Sequence, residues 1–149
     1  RTGSRPLYPL QISDPHKPGR TLVRTVLAID EDAGTMTFAG DVPEGWTAQL
    51  MRGHFDRLAN AAADAAKTAM ANLDSNHSDV AAILISCIGR RILMGEGIVG
   101  EIQAARRSIG QETTMTGFYS YGEISPHLSS GCSEFHNQTM TVTTFSEVL

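Results

Sequence analysis

Three short segments hold most of the side chains in this sequence that could do chemistry: SCIGRR (86–91), GFYSYGEISPH (117–127) and CSEFHNQT (132–139). In the first, an apolar run ends at Gly89 and two arginines, Arg90 and Arg91. Their planar guanidinium forks suit a carboxylate or phosphate. The second packs Tyr119, Tyr121, Gly122 and Glu123 into five positions. Glycine in a strand marks a bulge or a close backbone approach, so this segment reads as a strand that ends at a site. The third brings His136, Asn137 and Gln138, and an amide that both donates and accepts can fix a zwitterionic ligand. Each group also has a plainer reading. The arginines could cap a strand or pair with Glu96, Glu123 could neutralise one of them, Phe118 could be core, and the amides could bond to loop backbone.

Other chemistries are poorly supplied. Cys132 and His136, even with His127 and Cys87, form neither a Cys-x-x-Cys nor a His-x-x-x-His pair, which falls short of a zinc site. No Gly-x-Ser-x-Gly elbow is present, and an apolar setting for Cys87 would raise its pKa rather than activate it. GEGIVG (95–100) matches a dinucleotide fingerprint letter by letter, but Arg90 to Met94 separate it from the preceding strand, so it reads as a helix start. The expectation is therefore a protein without catalytic residues, metal or cofactor.

Composition narrows the partners. At 149 residues, 41% hydrophobic and 19% charged, the chain fits one domain with a real core, taken as residues 1–149. Its net charge of -4 argues against nucleic acid as the partner. No apolar run reaches the roughly 20 residues that span a bilayer. Two cysteines are too few for a disulfide framework, which points to a reducing cytoplasm. The polar opening RTGSR, without a Met, reads as the start of a fragment of something longer.

The elements that must position these side chains follow from periodicity. TLVRTVLAI (21–29), TMTFA (35–39) and WTAQLM (46–51) predict three strands joined by short turns, an antiparallel meander. Residues 54–73 place Phe55, Leu58, Ala62, Ala66 and Ala69 at helical spacing. VAAILISCI (80–88) has no polar face and predicts a central strand covered on both sides. Residues 95–110 predict a second helix with Gly110 as its C-cap. Residues 113–122 and 137–145 predict two further strands, the last antiparallel to its neighbour. The order βββ-α-β-α-β-β describes a mixed α/β, α+β domain, one sheet packed by two main helices, with a right-handed β-α-β unit over 80–121. Parallel neighbours at 80–88 and 113–121 would bring Arg90, Arg91, Tyr119, Tyr121, Gly122 and Glu123 to one edge, where ligands bind in open sheets.

AGDVPEG (39–45), QLMRG (49–53), SCIGRR (86–91), GFYSYGEISP (117–126) and FHNQTMTVT (135–143), in that order, closely resemble the C-terminal domain of the FIST family, F-box and intracellular signal transduction proteins. The resemblance runs from about Leu7 to Glu147. It implies a sensory input domain that binds a small ligand, with amino acids or small carboxylates expected. It also implies a preceding FIST N-terminal domain and signalling output partners such as a kinase or a cyclic-dinucleotide enzyme. On this reading Gly117 and Gly122 let the backbone turn beneath the recognition edge. Arg90 or Arg91 holds a ligand carboxylate, while Glu123, Asn137 and Gln138 address its polar end. Some members look like haem-bearing gas sensors, for which His127 and His136 would be the axial candidates. A third reading is an interaction or homodimerisation module with no ligand of its own.

Overall fold

The computed structural model describes residues 8–73, 77–126 and 131–148. The chain opens with two short strands, β1 (Leu10–Ser13) and β2 (Thr21–Arg24), paired antiparallel with Ile12 opposite Leu22. Both of those side chains are buried. The intervening loop closes on Asp14, whose carboxylate accepts the His16 backbone N–H at 2.9 Å and Arg20 Nη1 at 3.0 Å. Arg20 also pairs with Glu134 at 2.6 Å and lies 5.1 Å from the centre of the Trp46 ring. The bond from the His16 N–H, joined by Arg20 and opposed by burial, holds the Asp14 carboxyl below its ordinary value.

The sequence predicts one strand over 21–29, but the structure breaks it at Thr25. The Thr25 N–H donates to Asn137 Oδ1 at 3.4 Å, and its hydroxyl accepts Gln138 Nε2 at 3.3 Å. A side chain from a distant turn thus takes the N–H that a continuous ladder would use, while the Thr25 carbonyl still accepts the Ala39 N–H at 2.9 Å. Past this break, β3 (Val26–Asp30) pairs with β4 (Thr35–Phe38) as a separate hairpin, and β5 (Thr47–Leu50) pairs with β1 instead of β4. The expected three-strand meander is therefore replaced by a sheet of order β2-β1-β5 beside a two-stranded ribbon.

The long helix α1 (Phe55–Ala71) follows and buries Ala62, Ala66 and Ala69. Next come β6 (His77–Cys87), a short helix α2 (Ile88–Met94), a 3-10 turn at Gly95–Gly97, and α3 (Ile98–Ile109), closed by Gly110 at a φ of 102°. The chain finishes with β7 (Thr114–Ser120), β8 (Glu123–Pro126), β9 (Ser133–His136) and β10 (Met140–Val148). β6 sits between β10, antiparallel, and β7, parallel, so the β-α-β unit and the antiparallel last strand are as predicted. The mixed α+β class also holds, although the described strands form four sheets rather than one. Residues 88–94, expected as a strand end and a loop, are helical. Asn137 to Thr139 form a turn, and β10 starts only at Met140.

The core lies where α1 and α3 cover one face of the β10-β6-β7 sheet. Ala62, Ala66 and Ala105 meet Ala82, Leu84 and Met140 there, and the alanines let helix and sheet approach closely. The apolar run of β6 suggests cover on both faces, but only one is covered among the described residues. Ile83 and Ile85 are half-buried on the other face, beside Phe118 and Phe145, which are 59% and 53% exposed.

The Asp14 linkage gives a test. A carboxyl whose folded pKa is depressed stabilises the fold above the unfolded value, near 3.9, and that contribution is lost as pH falls through the folded pKa. Asp14→Asn is expected to lower the thermal midpoint at neutral pH. The gap to the parent protein should narrow as the pH falls below about 4.

Candidate functional site

The end of the sheet where β6 and β7 exit together holds two distinct arrangements, one buried and one open. The buried one centres on Arg90, 3% exposed, and Glu101, fully buried. Arg90 Nε donates to Glu101 Oε1 at 2.6 Å, and its Nη2 forms an ion pair with the same oxygen. The remaining donors reach backbone: Nη1 to the Gln138 carbonyl at 3.2 Å and Nη2 to the Leu58 carbonyl at 2.8 Å. Ser86 donates to the other Glu101 oxygen at 3.3 Å. Arg90 is thus committed internally and ties α2 to α3, α1 and the turn before β10.

Glu123, also 3% exposed, is engaged in the same way. Its carboxylate accepts the Ser120 hydroxyl at 2.6 Å and the Thr139 hydroxyl at 2.7 Å. Asn137 is fully buried, with its amide donating to the His136 carbonyl at 3.2 Å while its oxygen receives Thr25. Gln138 has a φ of 59°, a left-handed backbone held in place by its bonds to Thr25 and Arg90. His136 is buried, with Nε2 3.2 Å from the Ser125 carbonyl. His127 lies outside the described residues. Gly122 is required for space, since a Cβ there would collide with the Phe135 ring. Gly117 stands in the middle of β7 rather than at a turn, and its Cβ would strike the Leu84 carbonyl.

The open arrangement is a groove of about 280 Å³ between α3 and β7, with β6 as its floor. Leu84, Ile102, Met115 and Met140 make it mostly apolar, and Ser86 and Tyr119 add hydroxyls. Beside it the exposed Arg91 lays its guanidinium 4.9 Å from the centre of the Tyr119 ring. Among the described residues Arg91 makes no ion pair. Tyr121, 86% exposed, points away from any packed surface.

The predicted residues therefore gather at one end of the sheet but divide by depth. Arg90, Glu123, His136, Asn137 and Gln138 form buried polar packing, and Arg91 with Tyr119 flanks the groove. Ser86, Ile102 and Met115, which line that groove, did not stand out in the sequence as site residues. Glu101 did carry a signal. It falls on the apolar stripe of Ile98, Ile102 and Ala105, and an acid at such a position must find a partner. The pairing suggested for the arginines was Glu96, whereas Arg90 pairs with Glu101.

Among the described residues no group of three metal-ligating side chains is close enough to hold a metal. No described helix is long and apolar enough to cross a membrane. The family model for the FIST C domain matches residues 2–126. That span includes the SCIGRR and GFYSYGEISP segments but stops short of FHNQTMTVT. No curated protein and no solved structure matches the chain.

The buried pair makes a stability prediction. Removing one partner of a buried ion pair typically costs about 3–5 kcal/mol, because an uncompensated charge is left inside. Glu101→Leu is expected to lose that much in urea unfolding. Arg90→Met combined with Glu101→Leu should lose less than Glu101→Leu alone.

Proposed function

The chain belongs to the FIST C domain family of signal-transduction sensory domains, and from that premise we propose that it is a non-enzymatic domain binding a small amphipathic carboxylate, such as an amino acid, in the groove between α3 and β7. The observation that carries this reading is the pairing of an exposed arginine with an apolar groove. Stacking on Tyr119 fixes the plane of the Arg91 guanidinium while leaving its N–H edges open to a carboxylate. The wall of Leu84, Ile102 and Met115 would take the apolar part of the same molecule.

Size supports the same class of ligand. Drug-sized ligands occupy pockets of roughly 300–1,000 Å³, and a groove of about 280 Å³ is suited to something of amino-acid dimensions. Haem does not suit this groove. His136 would have to leave its place against the Ser125 carbonyl to become an axial ligand, and it does not line the groove. In this reading a bound ligand stiffens β7 and α3, and the first recipient of the change is an N-terminal partner domain of the same signalling protein.

A thermal-shift screen with amino acids and small carboxylates tests this. A ligand at 100 times its Kd adds about 2.7 kcal/mol of native-state stability, a rise of roughly 5–10 °C for a chain of this length. Arg91→Ala should abolish the response to carboxylates, and Ile102→Trp should abolish it by filling the groove. A response untouched by both substitutions would place the ligand elsewhere, and no response to any compound would count against the proposal.

A further inference from the structure

The β10-β6-β7 sheet ends differently at its two edges. On the β10 side, the pairing with β6 shifts register between Ser146 and Val148, and Glu147 puts a charge on the strand. These are devices that keep an edge from recruiting another strand. β7 has none of them. TMTGFYS contains no charge and no proline, it pairs with β6 in unbroken register from Thr114 to Ser120, and it forms the sheet's last strand among the described residues. Phe118 is 59% exposed on it. A seven-residue edge left in this state is a template for strand addition.

We propose that the β7 edge pairs with β7 of a second copy of this chain, antiparallel about a two-fold axis near Gly117, so that two three-stranded sheets become one of six. The sequence of β7 fits its own reverse. Centring on Gly117 sets Met115 opposite Tyr119 on the helix side, a thioether against an aromatic ring, and Thr116 opposite Phe118 on the other side. No charge meets a like charge. The flanks are complementary as well. Exposed Glu112 precedes the strand, and exposed Arg91 stands at its far end over Tyr119. Antiparallel pairing brings the acidic end of each copy toward the basic end of the other. A two-fold contact of this kind is isologous and closes on itself, which gives a dimer rather than a filament. This inference does not depend on the ligand reading, since it rests on the backbone edge, although β7 also lines the groove.

Sedimentation equilibrium of the full chain over a concentration series tests it, with two variants that differ only in the sign of one charge. Thr116→Lys with Phe118→Lys puts like charges opposite each other twice across the two-fold axis and should weaken the dimer by about tenfold or more. Thr116→Glu with Phe118→Lys carries the same burden of surface change but restores opposite-charge pairs, and should dimerise more tightly than the double lysine variant. Thermal unfolding of both variants checks that they fold alike. A parent chain that stays monomeric throughout would overturn the proposal. So would a dimer that responds equally to both variants, because association would then use another surface.

Discussion

Two opposite charges held in the interior set the terms for the rest of this structure. Removing a guanidinium and a carboxylate from water costs several kcal/mol each, and their attraction offsets that only when the remaining donors and acceptors are also satisfied. Arg90 and Glu101 meet this condition only because α3 turns Glu101 inward and three other elements come to them. α1 must present the Leu58 carbonyl, β6 must present Ser86, α3 must turn Glu101 inward, and the turn before β10 must aim the Gln138 carbonyl at Nη1. That last demand accounts for the left-handed backbone at Gln138. It also sends the Gln138 side chain to Thr25, where β2 gives way to β3. A single ion pair therefore links the helical layer to the place where the N-terminal strands change partners.

The same pair explains why adjacent arginines have different roles. Successive residues of an α-helix point about 100° apart, so a helix that begins directly after β6 and turns Arg90 inward necessarily turns Arg91 away. Arg91 then finds the ring of Tyr119, which the parallel register of β6 and β7 has set opposite Ser86. Arg90 is the structural half of this dipeptide. Arg91 is the half left exposed, over Tyr119 and beside the groove.

Much of this was readable in the sequence, and the failures have definite causes. The helix over 54–73, the central strand, the parallel crossover and the gathering of SCIGRR with GFYSYGEISP at one end all follow from periods strong enough to survive tertiary context. β1 was missed because LQIS spans only four residues, too few for alternation to register. The break at Thr25 was missed because β-branched propensity continues through TLVRTVLAI, and only side chains 112 and 113 residues away interrupt it. The helix at Ile88–Met94 was obscured by Gly89, which lowers helix propensity but leaves room for Gln138. Burial depth was the least accessible property. Arg90, Glu123, Asn137 and Gln138 look like ligand groups in a list of residue types, and only their partners show that the fold already uses them.

β7 belongs both to the groove and to the open edge of its sheet. Tyr119 and Met115 line the groove, and a second β7 pairing about Gly117 sets Met115 of each copy beside Tyr119 of the other. A ligand seated against Tyr119 and Arg91 and a strand added at the same edge then act on shared side chains, so their free energies are coupled. Linkage makes that coupling reciprocal: whatever factor association contributes to ligand affinity, the ligand contributes to association. The sign depends on Met115. If its thioether packs onto the neighbouring tyrosine and narrows the groove mouth around a bound carboxylate, association and occupancy reinforce each other; if it fills the space the ligand needs, they oppose. If both proposals hold, either sign would turn a small-molecule concentration into a change of assembly without any rearrangement of the Arg90–Glu101 centre, which is too costly to break for a signal of a few kcal/mol.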